Sequence, residues 1–288
     1  MAQFLILTES GNDVSQDVID RYGIRIVPMH VTFGGVCLDD GTFPTTDVFE
    51  HYARTKQLPK TSGCMPSDFE PLFKELEATD DDTQIVYLAY SAATTCSYES
   101  ALIAMAGRDN KLKNRFHAYD TKAVAAGGGL IVEEVAAYIR ANPNVTMGEV
   151  NTYIHDRINR SRMHFVPGGL EFLRAGGRLS NVAFLGATLL NIKPTIELID
   201  GKLTATKKRR GSMEKCVLNV VDDFIAQEPK ELDAVNLIFG AGLDQGTRDK
   251  VTARCEEAGF KQIRWVETGG VIGSHSGPGS FGITAMVL

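Results

Sequence analysis

The first half of the chain alternates short apolar runs with amphipathic segments, and this alternation limits the fold more than any other feature. Strands are predicted at residues 4–8, 24–33, 85–90 and 116–119. Helices are predicted at residues 14–22, 45–52, 67–77, 98–106 and 122–141, with Thr45 or Thr46 and Ser67 as caps. Strands and helices that alternate in units of about 30 residues indicate parallel βαβ architecture.

The second half contains a different mixture of elements. The sequence predicts helices at residues 150–158 and 213–226, strands at 235–240 and 263–266, and a hairpin at 196–206 that turns at Asp200-Gly201. Because Asn142-Pro143-Asn144 interrupts the pattern, we expect a boundary near residues 142–162. The predicted fold class is α/β, with an N-terminal parallel βαβ domain at residues 1–150 and a C-terminal mixed α/β domain at residues 151–288.

Charge and cysteine content exclude several classes of protein. The 288 residues carry 30 basic and 36 acidic side chains, a net charge of -6 that argues against general nucleic-acid affinity. Five cysteines, an odd number without a CxxC pair, favour a reducing compartment over a disulfide framework or a zinc site. We also find no signal-peptide pattern and no run of roughly 18 apolar residues, and expect a cytoplasmic protein.

Two adjacent hydroxyls, Thr61 and Ser62, stand in the loop KTSGCMPSDF at residues 60–69, just before a predicted helix. Loop hydroxyls and the free amide N–H groups of a helix start can together hold an anion or a carboxylate. A helix cap followed by a turn explains the same residues, and spacing alone leaves both interpretations open.

Hydroxyls also crowd the end of the strand at 85–90, where Ser91, Thr94, Thr95 and Ser97 follow one another closely. Ligands of parallel α/β sheets bind outside the carboxyl ends of the strands. The same edge is expected to carry residues 8–10 and 120–121. Ordinary loop chemistry between a strand and a helix remains the alternative.

Residues 182–192 are almost uniformly apolar. Gly176-Gly177 is predicted to end the preceding helix, and Ser180 to cap the next one. A segment that is apolar on all sides is either plain core or the lining of an apolar cavity.

One histidine, His275, lies in a glycine-rich stretch, VIGSHSGPGSFGI, which also contains Gly277. Glycine lets the backbone approach a ligand closely. Spacing alone does not separate a ligand-binding histidine from a structural one. The chain has no HExxH metal motif, no GxSxG elbow and no Walker A motif, so a metal or a nucleotide cofactor is not expected.

Taken together, these stretches resemble the DegV family of bacterial fatty-acid-binding proteins along nearly the whole chain. The resemblance includes Glu9-Ser10, Lys60-Thr61-Ser62, the run from Ser91 to Ala101, Tyr119-Asp120-Thr121, LEFLRAGGRLS at 170–180, IKPTIELIDGKL at 192–203 and GSHSGPGSFG at 273–282. It implies two α/β domains that enclose one long-chain fatty acid between them. The acyl chain of the ligand would lie in an apolar tunnel, and no cofactor would be needed. The protein would present the fatty acid to a separate fatty acid kinase or act in lipid transport.

The resemblance also implies which residues contact the ligand. Thr61 matches the family's carboxylate-binding threonine, and His275 matches the histidine of its GxHxGPG motif. Thr95-Cys96-Ser97 stands where the family has Ser-Gly-Thr, so Thr95 takes the place of the serine. The full expected set of ligand-binding residues is Thr61, Ser62, Ser91, Thr95, Ser97, His275 and Gly277.

Two other functions stay open at this point. An acyl-transfer enzyme or hydrolase could use His275 as a base, and a regulatory or phosphocarrier module could share the fold alone.

A last feature is the run KKRR at residues 207–210 on an otherwise acidic chain. It is either a solvated charged edge or a docking patch for an acidic partner or for transient contact with an anionic membrane.

Overall fold

The first of two large sheets is built from the N-terminal half of the chain. The computed structural model describes residues 3–78, 82–179 and 192–288. The strands of this sheet are β1 (Phe4–Glu9), β2 (Arg25–Val27), β6 (Gln84–Ala89) and β7 (Phe116–Asp120), in the order β2-β1-β6-β7. All neighbouring pairs run parallel, which confirms the predicted parallel architecture.

Helices connect and follow these strands. They are α1 (Gln16–Tyr22), α2 (Thr45–Thr55), α3 (Pro66–Ala78), α4 (Ser97–Ala106), α5 (Asn110–Asn114) and α6 (Ala125–Ala141). The central strand β6 is buried along most of its length, as expected for a parallel strand that is covered on both faces.

The second large sheet is mixed. Its strands are β8 (Ser161–Val166), β9 (Lys193–Ile199), β10 (Lys202–Arg209), β11 (Ala234–Phe239), β12 (Gln262–Glu267) and β13 (Phe281–Met286). They lie in the order β10-β9-β8-β13-β11-β12, and β11–β12 is a parallel pair among antiparallel ones. The mixed α/β fold of this half is therefore also confirmed.

The described residues of the second half form five helices. They are α7 (Met147–Arg160), α8 (Leu170–Gly176), α9 (Met213–Gln227), α10 (Gln245–Glu257) and α11 (Gly270–Ser276). No helix in the described stretches is both long and apolar enough to cross a membrane.

The strand predicted at residues 24–33 is divided into two. β2 ends at Val27, and the chain then enters a small antiparallel sheet as β3 (His30–Phe33), which lies between β4 (Val36–Asp39) and β5 (Lys60–Ser62). Pro28 lies at the break, and it has no N–H group with which to continue a ladder. This division places β5, which contains Thr61 and Ser62, next to β3.

Three predicted helix starts were also wrong in detail. Thr45 and Thr46 lie inside α2, and the Thr45 hydroxyl donates to the carbonyl of Thr268 instead of capping its own helix. Ser67 lies inside α3, where the carboxylate of Asp68 accepts from the amide of Met65. The helix predicted from residue 122 begins at Ala125, because the positive φ of Lys122 (52°) and Ala125 (50°) is incompatible with an earlier start.

The two halves share a hydrophobic core. One cluster combines Val31 and Phe69 from the first half with Met163 and Ile196 from the second. The hairpin of β9 and β10 turns at Asp200-Gly201 as predicted, both with positive φ. It touches the first half, because the Ser91 hydroxyl donates to the carbonyl of Gly201 at 2.7 Å. The boundary between residues 150 and 151 stays a prediction.

Candidate functional site

A mostly apolar cavity lies where the two halves meet. Its polar lining comes from Thr61, Ser62, Thr94, Thr95, Arg178, Thr268, His275, Ser276 and Ser280. Its apolar lining includes Met29, Tyr90, Val124, Ala125, Met163, Phe165, Leu173, Leu203, Ile238, Val271, Ile272 and Phe281. The cavity has a volume of about 80 Å³. Apolar residues at 182–191, and the cap predicted at Ser180, lie outside the described residues.

At the polar end of this cavity, Thr61 of β5 meets His275 of α11. The Thr61 Oγ1 atom lies 2.8 Å from His275 Nε2, although the residues are 214 positions apart. The sequence suggested a glycine-rich loop around His275, whereas the structure places it in the last turn of α11. Gly277, with φ of 75°, ends that helix. A rigid helix therefore holds the imidazole against the threonine.

The imidazole of His275 is neutral at pH 7. Burial, with the positive charge of Arg178 as a further cause, lowers its pKa to about 4. Its Nδ1 atom is buried without a hydrogen-bond partner in the described chain. Because buried N–H groups without a partner are rarer than unused acceptors, we assign the proton to Nε2. The Nε2–H group then donates to Thr61, and the Thr61 hydroxyl can donate into the cavity.

Thr95 presents a second hydroxyl from the loop before α4. Its Oγ1 lies 3.1 Å from the Ser97 hydroxyl and accepts the Ser97 amide N–H at 3.4 Å. The Cys64 amide in turn donates to Ser97 Oγ at 3.0 Å. Gly63 makes this approach possible, since a Cβ there would lie 2.0 Å from Thr95 Oγ1. The loops after β5 and β6 are thus joined by hydrogen bonds beside the cavity.

Not all of the predicted ligand-binding residues line this cavity. Thr61, Ser62, Thr95 and His275 do so. Ser91 is buried and holds the β9–β10 turn, and Ser97 is buried behind Thr95. Gly277 packs against Phe172, whose Cδ2 would lie 2.9 Å from an added Cβ.

Sequence reasoning missed the contacts that fix α11. The amide of Gly269 donates to Asp13 Oδ1 at 2.9 Å, and the amide of Val271 donates to Asp40 Oδ1 at 3.2 Å. Burial raises the pKa of both carboxyl groups. Two side chains of the first half therefore hold the start of the helix that carries His275. Asp13 lies 256 residues before Gly269, and Asp40 lies 231 residues before Val271. No local sequence pattern indicates these contacts.

The apolar lining was also largely missed, apart from a general expectation of a tunnel. Met163 and Phe165 are alternate residues of β8 and face the cavity, as the period of a strand requires. Within the three described ranges, no group of three or more His, Cys, Asp or Glu side chains could hold a metal ion.

The first three residues of the KKRR run end the edge strand β10, and Arg210 follows the strand. Part of the positive charge of this run is paired inside the fold. Lys207 Nζ lies 2.7 Å from Asp223 of α9, and Arg209 bonds to the same carboxylate and to Thr195 Oγ1. Lys208 and Arg210 are exposed.

Comparison with known proteins gives consistent matches along the chain. A family model described as "Uncharacterised protein, DegV family" matches residues 3–287. A DegV domain-containing protein of Caldanaerobacter subterraneus subsp. tengcongensis is 28% identical, with 98% of each chain covered, and one of Staphylococcus aureus is 29% identical over 96% of this chain and 95% of its own.

Solved structures resemble the whole chain as well. A DegV family protein from Thermus thermophilus, described as fatty-acid binding, has a TM-score of 0.86 and 26% identity, with 99% of this chain and 100% of its own covered. The Streptococcus pneumoniae fatty acid kinase B3 protein, loaded with linoleic acid, has a TM-score of 0.80 and 17% identity over 99% of this chain and 100% of its own. The latter likeness shows the fold alone.

Proposed function

Because the chain belongs to the DegV family, we propose that it binds one long-chain fatty acid in the cavity between its halves. The carboxylate lies at the polar end, where Thr61, Thr95 and His275 hold it, and the acyl chain extends along the apolar lining. Ser62 lies beside them, while Ser91, Ser97 and Gly277 shape the site from behind. The bacterial DegV protein from Thermus thermophilus, described as fatty-acid binding, supports the ligand class.

The observation that carries the proposal is the part-buried Thr61–His275 pair at the polar end of a mostly apolar cavity. A carboxylate that leaves water needs hydrogen-bond donors, because an unpaired buried charge is very costly. Two hydroxyls, each able to receive a hydrogen bond from the protein side, can point their own protons at such a group. Hydrogen bonds to an ionised acceptor are about twice as strong as neutral ones.

The acyl chain supplies most of the gross affinity, at about 0.8 kcal/mol for each buried CH₂ group. Part of this is offset by lost motion. The flexible thioethers of Met29 and Met163 belong to the lining and can adjust to the shape of the acyl chain.

An acyl-transfer enzyme with His275 as the base is less well supported. The spacing of Thr61 and His275 would suit a nucleophile and its base. In the part of the chain that the structure describes, however, no side chain orients Nδ1. A histidine whose pKa is lowered to about 4 is also a weak base at pH 7. We therefore propose a binding protein rather than an enzyme.

We further propose that the protein acts in the cytoplasm and presents its fatty acid to a separate kinase, or carries it in lipid transport. The Streptococcus pneumoniae neighbour, which shares the fold, is itself a fatty acid kinase B3 protein loaded with linoleic acid. A solvent-reachable polar end suits presentation, since Ser62 beside Thr61 is exposed.

Protein purified from a bacterial host is expected to contain about one long-chain fatty acid per chain. Organic extraction followed by mass spectrometry measures this directly. Protein that has been stripped of lipid should regain one equivalent of palmitate and should release no product from an acyl ester. Folded protein that neither retains nor rebinds a fatty acid would refute the proposed function.

Transient contact with an anionic membrane is proposed for the exposed cations of the KKRR run. Because Arg209 is bound inside the fold, the test changes Lys208→Glu and Arg210→Glu together. Each basic residue near an anionic surface contributes about 1 kcal/mol, so transfer of ligand to vesicles containing phosphatidylserine should slow about tenfold at low salt, with ligand affinity unchanged. The double variant Lys56→Glu, Lys74→Glu makes the same charge change elsewhere. Equal transfer rates for both double variants would show that the KKRR run is a solvated charged edge and does not contact the membrane.

A further inference from the structure

A second cavity lies on the side of the mixed sheet that faces away from the proposed fatty-acid site. Met163 and Phe165 of β8 line the first cavity, and the alternation of a strand turns His164, which lies between them, to the opposite face. There His164 lines a cavity of about 410 Å³. Among the described residues, Met163 alone belongs to both linings. The two cavities are therefore separate sites.

The second cavity has the size of a small-molecule pocket. It is enclosed by the end of α7, the first residues of β8, the turn of the β9–β10 hairpin, the end of α9 and the loop that follows β7. Its volume falls in the range of about 300–1,000 Å³ that is usual for pockets that bind small ligands.

Lys230, in the wall of this cavity, is a buried cation without a counter-ion. Only 8% of the residue is exposed. Its Nζ atom donates to the backbone carbonyl of Glu228 at 2.6 Å and lies 4.8 Å from the centre of the Phe224 ring. Within the described parts of the chain it forms no ion pair, because the Glu228 carboxylate pairs with Arg162 at 2.9 Å. An ammonium group has three donors, and a buried charge is costly unless an opposite charge accompanies it.

His164 is a second polar group of this wall whose hydrogen bonds are not made. The residue is 5% exposed, and its Nδ1 atom is buried without a partner in the described residues. Its Nε2 atom lies 3.7 Å from Oε2 of Glu197, which is beyond the range of a hydrogen bond. Burial lowers the pKa of this imidazole, against the opposing charge of Glu197. At pH 7 it is therefore neutral and has one N–H to donate.

Phe224 of α9 brings these two groups to the same wall. The His164 ring packs edge-on against it, with the ring centres 5.1 Å apart, and Lys230 lies over the same ring. The ammonium charge of Lys230 also acts on His164 electrostatically. A cation and a neutral N–H donor are thus held side by side in a buried wall, and both require an acceptor.

We propose that this second cavity binds a small oxyanion, a carboxylate or a phosphate group, between Lys230 and His164. The anion supplies the counter-charge that Lys230 lacks and accepts the free N–H of the imidazole. This inference does not depend on the proposed function, because the fatty-acid carboxylate is assigned to the other face of the sheet.

The acidic side chains of the lining restrict where the anion lies. Glu228 is neutralised by Arg162, and Asp200 is exposed at the hairpin turn. Glu197 accepts the Thr206 hydroxyl through Oε1 at 2.6 Å, which leaves Oε2 as an acceptor. A protonated phosphate carries an O–H that Oε2 can accept, whereas acetate has none. We therefore expect phosphate to bind more tightly than acetate.

The test is isothermal titration of the whole protein with inorganic phosphate and, separately, with acetate, at pH 7 and constant ionic strength. Lys230→Met removes the charge and keeps an unbranched side chain. We expect it to weaken phosphate binding by about tenfold to 100-fold, the loss expected for a hydrogen bond to a charged group. Lys74→Met makes the same change at an exposed position of α3 and should bind as the wild type does. Tighter binding of acetate than of phosphate would identify the ligand group as a carboxylate.

A second measurement uses the unaltered protein, so that the result does not depend on the folding of Lys230→Met. The imidazole ¹⁵N signals of His164 should shift on titration with phosphate, whereas those of His155, exposed on α7, should not. The inference is overturned if neither phosphate nor acetate binds, or if the signals of His164 stay unchanged when they do. Equal phosphate affinity of folded Lys230→Met and the wild type would overturn it as well.

Discussion

Replacing Gly176 with alanine is expected to weaken fatty-acid binding by about 100-fold, which corresponds to about 2.8 kcal/mol. A Cβ on this last residue of α8 would lie 2.0 Å from Nδ1 of His275 and 2.8 Å from its Cε1. The imidazole must therefore leave its position and lose contact with Thr61. Overpacking of a tight site costs typically about 1–3 kcal/mol, and the displaced donor no longer reaches the carboxylate.

A matched glycine on another helix end provides the control. Gly107 follows α4, has a negative φ of -80°, and an added Cβ there would lie 3.9 Å from the nearest atom, the carbonyl oxygen of Ala104. Gly107→Ala should bind palmitate as the wild type does. Both variants are measured by equilibrium dialysis, and their stability by denaturant titration. Wild-type affinity in a folded Gly176→Ala protein would show that His275 does not contribute to binding.

The parallel sheet was predictable because its central strands, β1 and β6, are largely buried and their apolar residues follow one another within a short window. Residues 85–90 contain an unbroken apolar run, and β6 occupies Gln84–Ala89. The Asp200-Gly201 turn was equally local, since both residues need positive φ. The division of residues 24–33 depends on which sheet each piece joins, and only tertiary contacts decide that.

The site was predictable in part, for a related reason. Thr61 and His275 could be named from the family resemblance, but their 2.8 Å contact bridges 214 positions of sequence. Ser91 shows the limit of counting hydroxyls near a strand end. Its hydroxyl is used by the carbonyl of Gly201, in a hairpin from the other half of the chain, and no pattern within residues 85–97 contains that information.

The same limit applies to the residues that support the site. Asp13 and Asp40 look like ordinary acidic residues of loops, yet they accept from the backbone at the start of α11. Glu9 was recognised only as part of an acidic-serine turn, whereas its complete burial is a property of the folded core.

Replacing Thr61 with valine is expected to lower palmitate affinity by about 10-fold to 100-fold. Valine keeps the β-branched shape that suits β5 and removes the hydroxyl, so the strand should remain intact. A lost hydrogen bond to a charged group costs about 1.5–3 kcal/mol, and Nε2 of His275 loses its partner at the same time. The expected loss is the same at pH 7 and at pH 6, because the imidazole of His275, with a pKa of about 4, is neutral at both pH values.

Two controls separate this effect from general damage to the fold. Thr32→Val makes the same chemical change on β3, where Thr32 pairs with Lys60 and therefore faces away from the side of the sheet that Val31 and Thr61 share. Ser67→Ala removes an exposed hydroxyl in α3. Both should bind palmitate as the wild type does. If Thr61→Val binds as tightly as these two in the same dialysis experiment, Thr61 does not hold the carboxylate, and the ligand head group must be held elsewhere along the cavity.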